Sequence, residues 1–107
     1  MAKVIWEATA TSILLEYIEN AQHEFGNSTV KRWQKDRKDI EWRLQHHPVS
    51  YPPEEILLNR NITYRHCHLM HRRFKLIYYY DELSDIVHIV DIWDTRMSPT
   101  TLTKRIK

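Results

Sequence analysis

Gly26 is the only glycine in the 107 residues of this chain, and Cys67 is the only cysteine. Glycine ordinarily makes up ~7% of a globular sequence. Loops that cradle phosphates need several glycines so that backbone N–H groups can close on the ligand. P-loop and dinucleotide fingerprints are therefore excluded, and any anion site must be assembled from side chains. A single cysteine cannot form an internal disulfide, which fits a reducing compartment. No apolar run approaches the ~20 residues that cross a bilayer. The start of the chain, Met1-Ala2-Lys3-Val4-Ile5-Trp6, meets an acidic residue at Glu7 without a signal-like apolar region, so a cytoplasmic location is expected.

One further absence is local. From Asn59 to Tyr80 there is no carboxylate, although the stretch holds Arg60, Arg65, Arg72, Arg73 and Lys75 with His66, His68 and His71. The overall charge of +2 hides this imbalance. Residues 1–58 carry seven Lys/Arg against nine Asp/Glu, and residues 59–107 carry nine against five. With no counter-charge inside the run, its expected partner is an external anion. Tyr64, Phe74 and Tyr78-Tyr79-Tyr80 interleave with the cations, a mixture suited to phosphates and unstacked bases.

The length, with 42% hydrophobic and 28% charged residues, predicts one globular domain over residues 1–107. Lys3–Trp6 is short and β-branched and reads as a strand. Leu14, Tyr17, Ile18, Ala21 and Phe25 recur at helical spacing, with Thr9 or Thr11 as the N-cap. Gly26 supplies a C-cap, after which Val30, Trp33, Ile40 and Leu44 define a second helix ending before Pro48. Two helices joined by about three residues pack as an antiparallel hairpin. His47 to Asn61, with Pro48, Pro52 and Pro53, reads as a loop. Ile62–Met70, Phe74–Tyr80 and Ile86–Trp93 read as an antiparallel meander, and Thr95–Lys107 as a tail with a basic end at Lys104, Arg105 and Lys107. The fold class is α+β, in the order β-α-α-β-β-β, a helical hairpin on a small, mainly antiparallel sheet. Alternation along the middle strand sends Phe74, Leu76, Tyr78 and Tyr80 toward the helices. It leaves Arg73 and Lys75 together on the open face, with Ile77 and Tyr79.

In this order the residues resemble the RelE/ParE superfamily of toxins from type II toxin–antitoxin pairs. Phe74-Lys75-Leu76-Ile77-Tyr78 looks like that family's aromatic–Arg/Lys–apolar–apolar–Tyr strand. Ile92-Trp93-Asp94-Thr95-Arg96-Met97-Ser98-Pro99 looks like its last strand and basic exit. The resemblance implies a cognate antitoxin, with which the chain would form a hetero-oligomer, and one of two activities: mRNA cleavage on the ribosome, or poisoning of DNA gyrase. It places Lys75 where the ribonuclease branch has a catalytic Arg or Lys, and Arg96 at the Arg following the last strand. No tyrosine matches the one that RelE has in its C-terminal segment.

Cleavage by the RNA's own 2′-hydroxyl needs a deprotonated nucleophile and a neutralised oxyanion, both within reach of side chains without metal or cofactor. Lys75, Arg96 and Arg73 are accordingly the candidate catalytic group of an endoribonuclease. Arg65, His66, His68 and Arg72 are the candidate RNA-binding set. The alternatives are a basic interaction module without catalysis and an inactive toxin homologue. His66-Cys67-His68 offers poor metal spacing, because Cys67 alternates to the other face and no second thiol follows, so no metal site is expected. Cys67 reads as a small core residue. Trp42 lies about half a turn from the Trp33–Ile40–Leu44 stripe, beside Lys35 and Lys38. Its ring either rests on lysine stems or marks a face covered by a partner.

Overall fold

The computed structural model describes residues 1–106; Lys107, part of the expected basic end, lies outside the described residues. The elements are β1 (Lys3–Trp6), α1 (Ala8–Phe25), α2 (Asn27–His46), a 3-10 turn (Glu55–Leu57), β2 (Arg65–Leu69), β3 (Phe74–Asp81), β4 (Ile86–Asp94) and α3 (Pro99–Arg105). The sheet runs β1-β4-β3-β2. β1 pairs in parallel with β4, Lys3 facing Ile86, and the other two pairings are antiparallel. This is the expected α+β order, with α3 and the 3-10 turn added. No helix among the described residues is long and apolar enough to cross a membrane.

α1 starts earlier than the threonines suggested. Glu7 precedes it in an extended conformation without a side-chain cap. The reason is that Glu7 still belongs to the sheet edge: its N–H donates to Ile89 O at 2.9 Å, and its carboxylate accepts from His88 Nδ1 at 2.8 Å. Gly26 alone joins α1 to α2, at φ 84° and ψ −170°. That conformation is essentially reserved for glycine, so the single glycine sits where the hairpin turns in one residue rather than about three.

Two cores result. On the helical side Ala10, Leu14, Trp33, Ile40 and Leu44 meet Phe74, Leu76, Tyr78, Val87, Ile89 and Ile92. Tyr17, Trp33 and Phe74 form an aromatic cluster, with Phe74 4.7 Å from Tyr17 and 5.0 Å from Trp33 between ring centroids. The other face, expected to be open, is covered at its centre. There Leu102 and Ile106 pack with Leu57, Tyr64, Ile77 and Trp93. α3 forms because Ser98 caps it, accepting from Thr100 N, and Pro99 occupies the first turn. Arg105 then pins it to the buried Asp91 at 2.8 Å. Burying each such leucine or isoleucine contributes roughly 1.5–3 kcal/mol, which holds a seven-residue helix that would not persist alone.

A bulge sits in β4. Ile77 pairs with Asp91, but the next residue, Tyr78, pairs with Ile89, leaving Val90 without a partner. Val87 and Ile89 face the helices before it, Ile92 and Asp94 after it, while Val90, Asp91 and Trp93 turn to the α3 side. The parity of the strand is reversed at its exit.

Replacing Gly26 with alanine should destabilise the fold by about 1–3 kcal/mol from backbone conformation alone, since an added Cβ meets nothing within 4 Å. Urea unfolding would measure it, and an unchanged midpoint would contradict the turn geometry.

Candidate functional site

The basic stretch is not without internal counter-charge. Glu54, fully buried on the loop before the 3-10 turn, reaches the α3 face of the sheet. Both of its oxygens accept from Lys75 Nζ at 3.1 Å. Its Oε2 also lies 2.9 Å from His66 Nδ1, a close contact without a formed hydrogen bond. Glu54 is held there because its N–H donates to Tyr64 O and the neighbouring Pro53 bridges Arg65. Lys75 lies opposite Trp93 in the ladder, with Nζ 5.6 Å from the ring centroid. His68 lies opposite Lys75 on β2, its ring 5.3 Å from that of His66. Glu54, His66, His68 and Lys75 thus form one half-covered cluster at the rim of the α3 face.

The imidazoles there are shifted toward neutrality. Burial lowers the His66 pKa, with Lys75 adding to the effect and Glu54 opposing it. Burial also lowers that of His68, reinforced by His66, Arg72 and Lys75. Neutral imidazoles beside an ammonium can accept a proton while the ammonium stabilises negative charge. The Cys67 thiol is pushed up to about 12 by burial and is no nucleophile.

Arg73 and Arg96 are elsewhere. Arg73 belongs to the turn before β3, and its guanidinium lies 5.3 Å over the ring of Phe74, which faces the helices. It does not share the face of Lys75, as strict alternation would have it, because Met70, His71 and Arg72 all take positive φ and re-aim the turn. Arg96 is clamped to Asp94 through Nε at 3.2 Å and Nη2 at 3.0 Å, while Asp94 also accepts from the Arg96 N–H at 2.9 Å. The side-chain hydrogen bond from Arg96 holds the Asp94 carboxyl below its ordinary range. Since Asp94 pairs with Phe74, Arg96 follows it to the helical side. The three expected catalytic cations are therefore split between two faces.

The remaining sequence candidates are placed as follows. Arg65 donates to Tyr51 O at 2.8 Å, which ties one end of its guanidinium to the loop. Arg72 is exposed at the β2–β3 turn. On the outer face of α2, Trp42 is 57% exposed and stacks on His46 at 4.3 Å rather than on lysine stems. Lys35 pairs with Asp39 at 3.2 Å, and Lys38 is exposed. Glu54 escaped the sequence reading because it sits in a proline-rich loop, where no alternation assigns a face.

Comparison with solved structures gives the isolated E. coli RelE toxin as a neighbour, with TM-score 0.57 and 14% identity over 100% of both chains. The fold is therefore RelE-like. No protein-family model matches the chain. No curated protein matches its sequence.

The lowered histidine pKa values carry a stability signature. In the unfolded chain His66 and His68 take up protons near pH 6.5, but the folded state binds them only at lower pH, so stability rises with pH across that window. The thermal midpoint should fall as pH drops below ~6.5, and the slope should flatten in a His66→Gln, His68→Gln double variant. An equally steep slope in that variant would assign the titration to other groups.

Proposed function

We propose that this chain is a toxin of the toxin–antitoxin kind that cleaves RNA without a metal, with the His66–His68–Lys75 cluster as its chemical centre. The observation that carries this reading is the juxtaposition of two imidazoles, disposed to be neutral, with an ammonium at the rim of one sheet face. His68, the more accessible of the two, takes the proton from a ribose 2′-hydroxyl. The 2′-oxygen attacks the adjacent phosphorus as the bond to the 5′-oxygen breaks, and the leaving oxygen takes a proton from water. The products are a 2′,3′-cyclic phosphate and a 5′-hydroxyl. Lys75 stabilises the pentavalent oxyanion, and Glu54 fixes the position of Lys75. Arg72 steers the strand toward this face, while Arg73 and Arg96, on the helical side, bind phosphate and take no part in the chemical step.

The fold likeness to the RelE toxin supports ribosome-associated mRNA as the substrate and a small acidic antitoxin as the partner. The exposed Trp42 offers that antitoxin an apolar anchor, with Lys38 and the Asp39-paired Lys35 beside it. A second reading, RNA binding without cleavage, is favoured by one observation: Glu54 already neutralises Lys75.

Induced expression should halt translation and leave mRNA fragments ending in cyclic phosphate. His68→Gln, at an exposed position, should lower the cleavage rate by about 10²–10⁴-fold with an unchanged melting profile above the pH window in which that histidine titrates. A Lys75→Met, Glu54→Gln pair, which leaves no buried charge unpaired, should do the same. Bound but uncut RNA would select the binding reading. Intact mRNA with double-strand DNA breaks would instead point to gyrase.

A further inference from the structure

On the helical side, between the tip of the α1–α2 hairpin and the β2–β3 turn, lies a cavity of about 670 Å³. Its volume is within the range of small-molecule sites, ~300–1,000 Å³. Its wall is the Tyr17–Trp33–Phe74 aromatic cluster, and Arg32, Arg73 and Arg96 converge on it. These two components recognise different parts of one ligand class. We propose that the cavity binds a nucleoside monophosphate unit, either free or as the terminal nucleotide of an RNA strand.

The cations are disposed for a phosphate. Among the described residues the Arg73 side chain makes no hydrogen bond and no ion pair; it lies over the Phe74 ring and within electrostatic reach of Asp94. Its full set of donors is unspent. Arg96 gives Nε and one Nη2 contact to Asp94, leaving Nη1 free, so Asp94 orients the fork rather than consuming it. Arg32 donates to the ring Nε2 of His71, which holds its guanidinium at the same mouth. The lining holds three arginines against two carboxylates, Asp94 and Glu24. A single phosphate meets this excess, and an acidic polymer is not required to do so. The flat component is equally specific. Tyr17 is only half-buried, and Phe25, 60% exposed, stands at the cavity's edge as an unstacked ring available to a base. Aromatic stacking is tolerant of base identity, so the pocket reads the nucleotide class rather than one base.

This site is on the opposite side of the sheet from Lys75 and does not rest on the cleavage reading. Calorimetric titration of the full chain with UMP, AMP, uridine and inorganic phosphate tests it. Both monophosphates should bind, with uridine and phosphate each at least about tenfold weaker, the loss expected when either the charge-assisted contacts or the stacking is missing. Arg73→Gln and Phe25→Ala, both exposed, should each weaken UMP about tenfold. His68→Gln should leave UMP binding unchanged. Comparing UMP with a short uridine oligonucleotide bearing a 5′-phosphate separates the two sources. Tighter binding of the oligonucleotide, lost with Arg73→Gln, assigns the site to a strand end, and equal binding assigns it to free nucleotide. Phosphate binding as tightly as UMP, UMP affinity indifferent to Arg73 and Phe25, or an acidic peptide binding in place of nucleotide would each overturn the proposal.

Discussion

The unpaired Val90 in β4 is the constraint on which the distribution of charge across this molecule depends. A regular strand that turns Val87 and Ile89 toward the helices would turn Asp91 and Trp93 there too, and Asp94 away. The extra residue reverses this. Asp91 is thereby free to receive Arg105 and fasten α3 over the second face, and Trp93 to lie against Lys75. Asp94 is sent to the helical side and takes Arg96 with it. One backbone irregularity thus puts Arg96 and Lys75 on opposite faces of the sheet.

This explains which parts of the structure were legible in the sequence. Helical spacing located α1 and α2, alternation located β3, and the faces of Phe74, Leu76, Tyr78 and Lys75 follow from period two as read. Those inferences depend only on local geometry. The faces of Arg73 and Arg96 do not, because three consecutive positive-φ residues precede the one and the bulge precedes the other. In Ile86-Val87-His88-Ile89-Val90-Asp91-Ile92-Trp93 the two polar residues, His88 and Asp91, fall on opposite parities and both sides are otherwise apolar, so alternation assigns neither face. The seven residues of α3 are dominated by threonine and basic side chains, a tail-like composition. Only the capping Ser98 followed by Pro99 signals it locally, and its hydrophobic pair finds a surface only after the sheet has formed.

The candidate site was legible as composition and not as arrangement. A stretch of cations without carboxylates does exist, but Glu54 enters it from a loop that is remote in sequence and adjacent in space. Burying a carboxylate is costly unless its lone pairs are taken up, and here Lys75 and the Ile56 N–H donate to it, with His66 alongside. The consequence is a centre with less net charge than the linear run implies and more proton-transfer character, since its imidazoles are biased toward neutrality by the same burial. The surplus of unpaired guanidinium lies on the other side, at the cavity walled by Tyr17, Trp33 and Phe74.

The parallel pairing of β1 with β4 has a consequence in time. The first strand, Lys3–Trp6, has no strand partner until Ile86–Ile89 exist to receive it. Everything between can form earlier: the helical hairpin is local, and β2, β3 and β4 follow one another as neighbours. During synthesis the hairpin is therefore complete in sequence before the sheet it must cover. The Glu54–Lys75–His66 contacts wait as well, because they join a loop to strands translated after it. The sheet of a growing chain is incomplete until β4 emerges, and its β1 edge is fixed last.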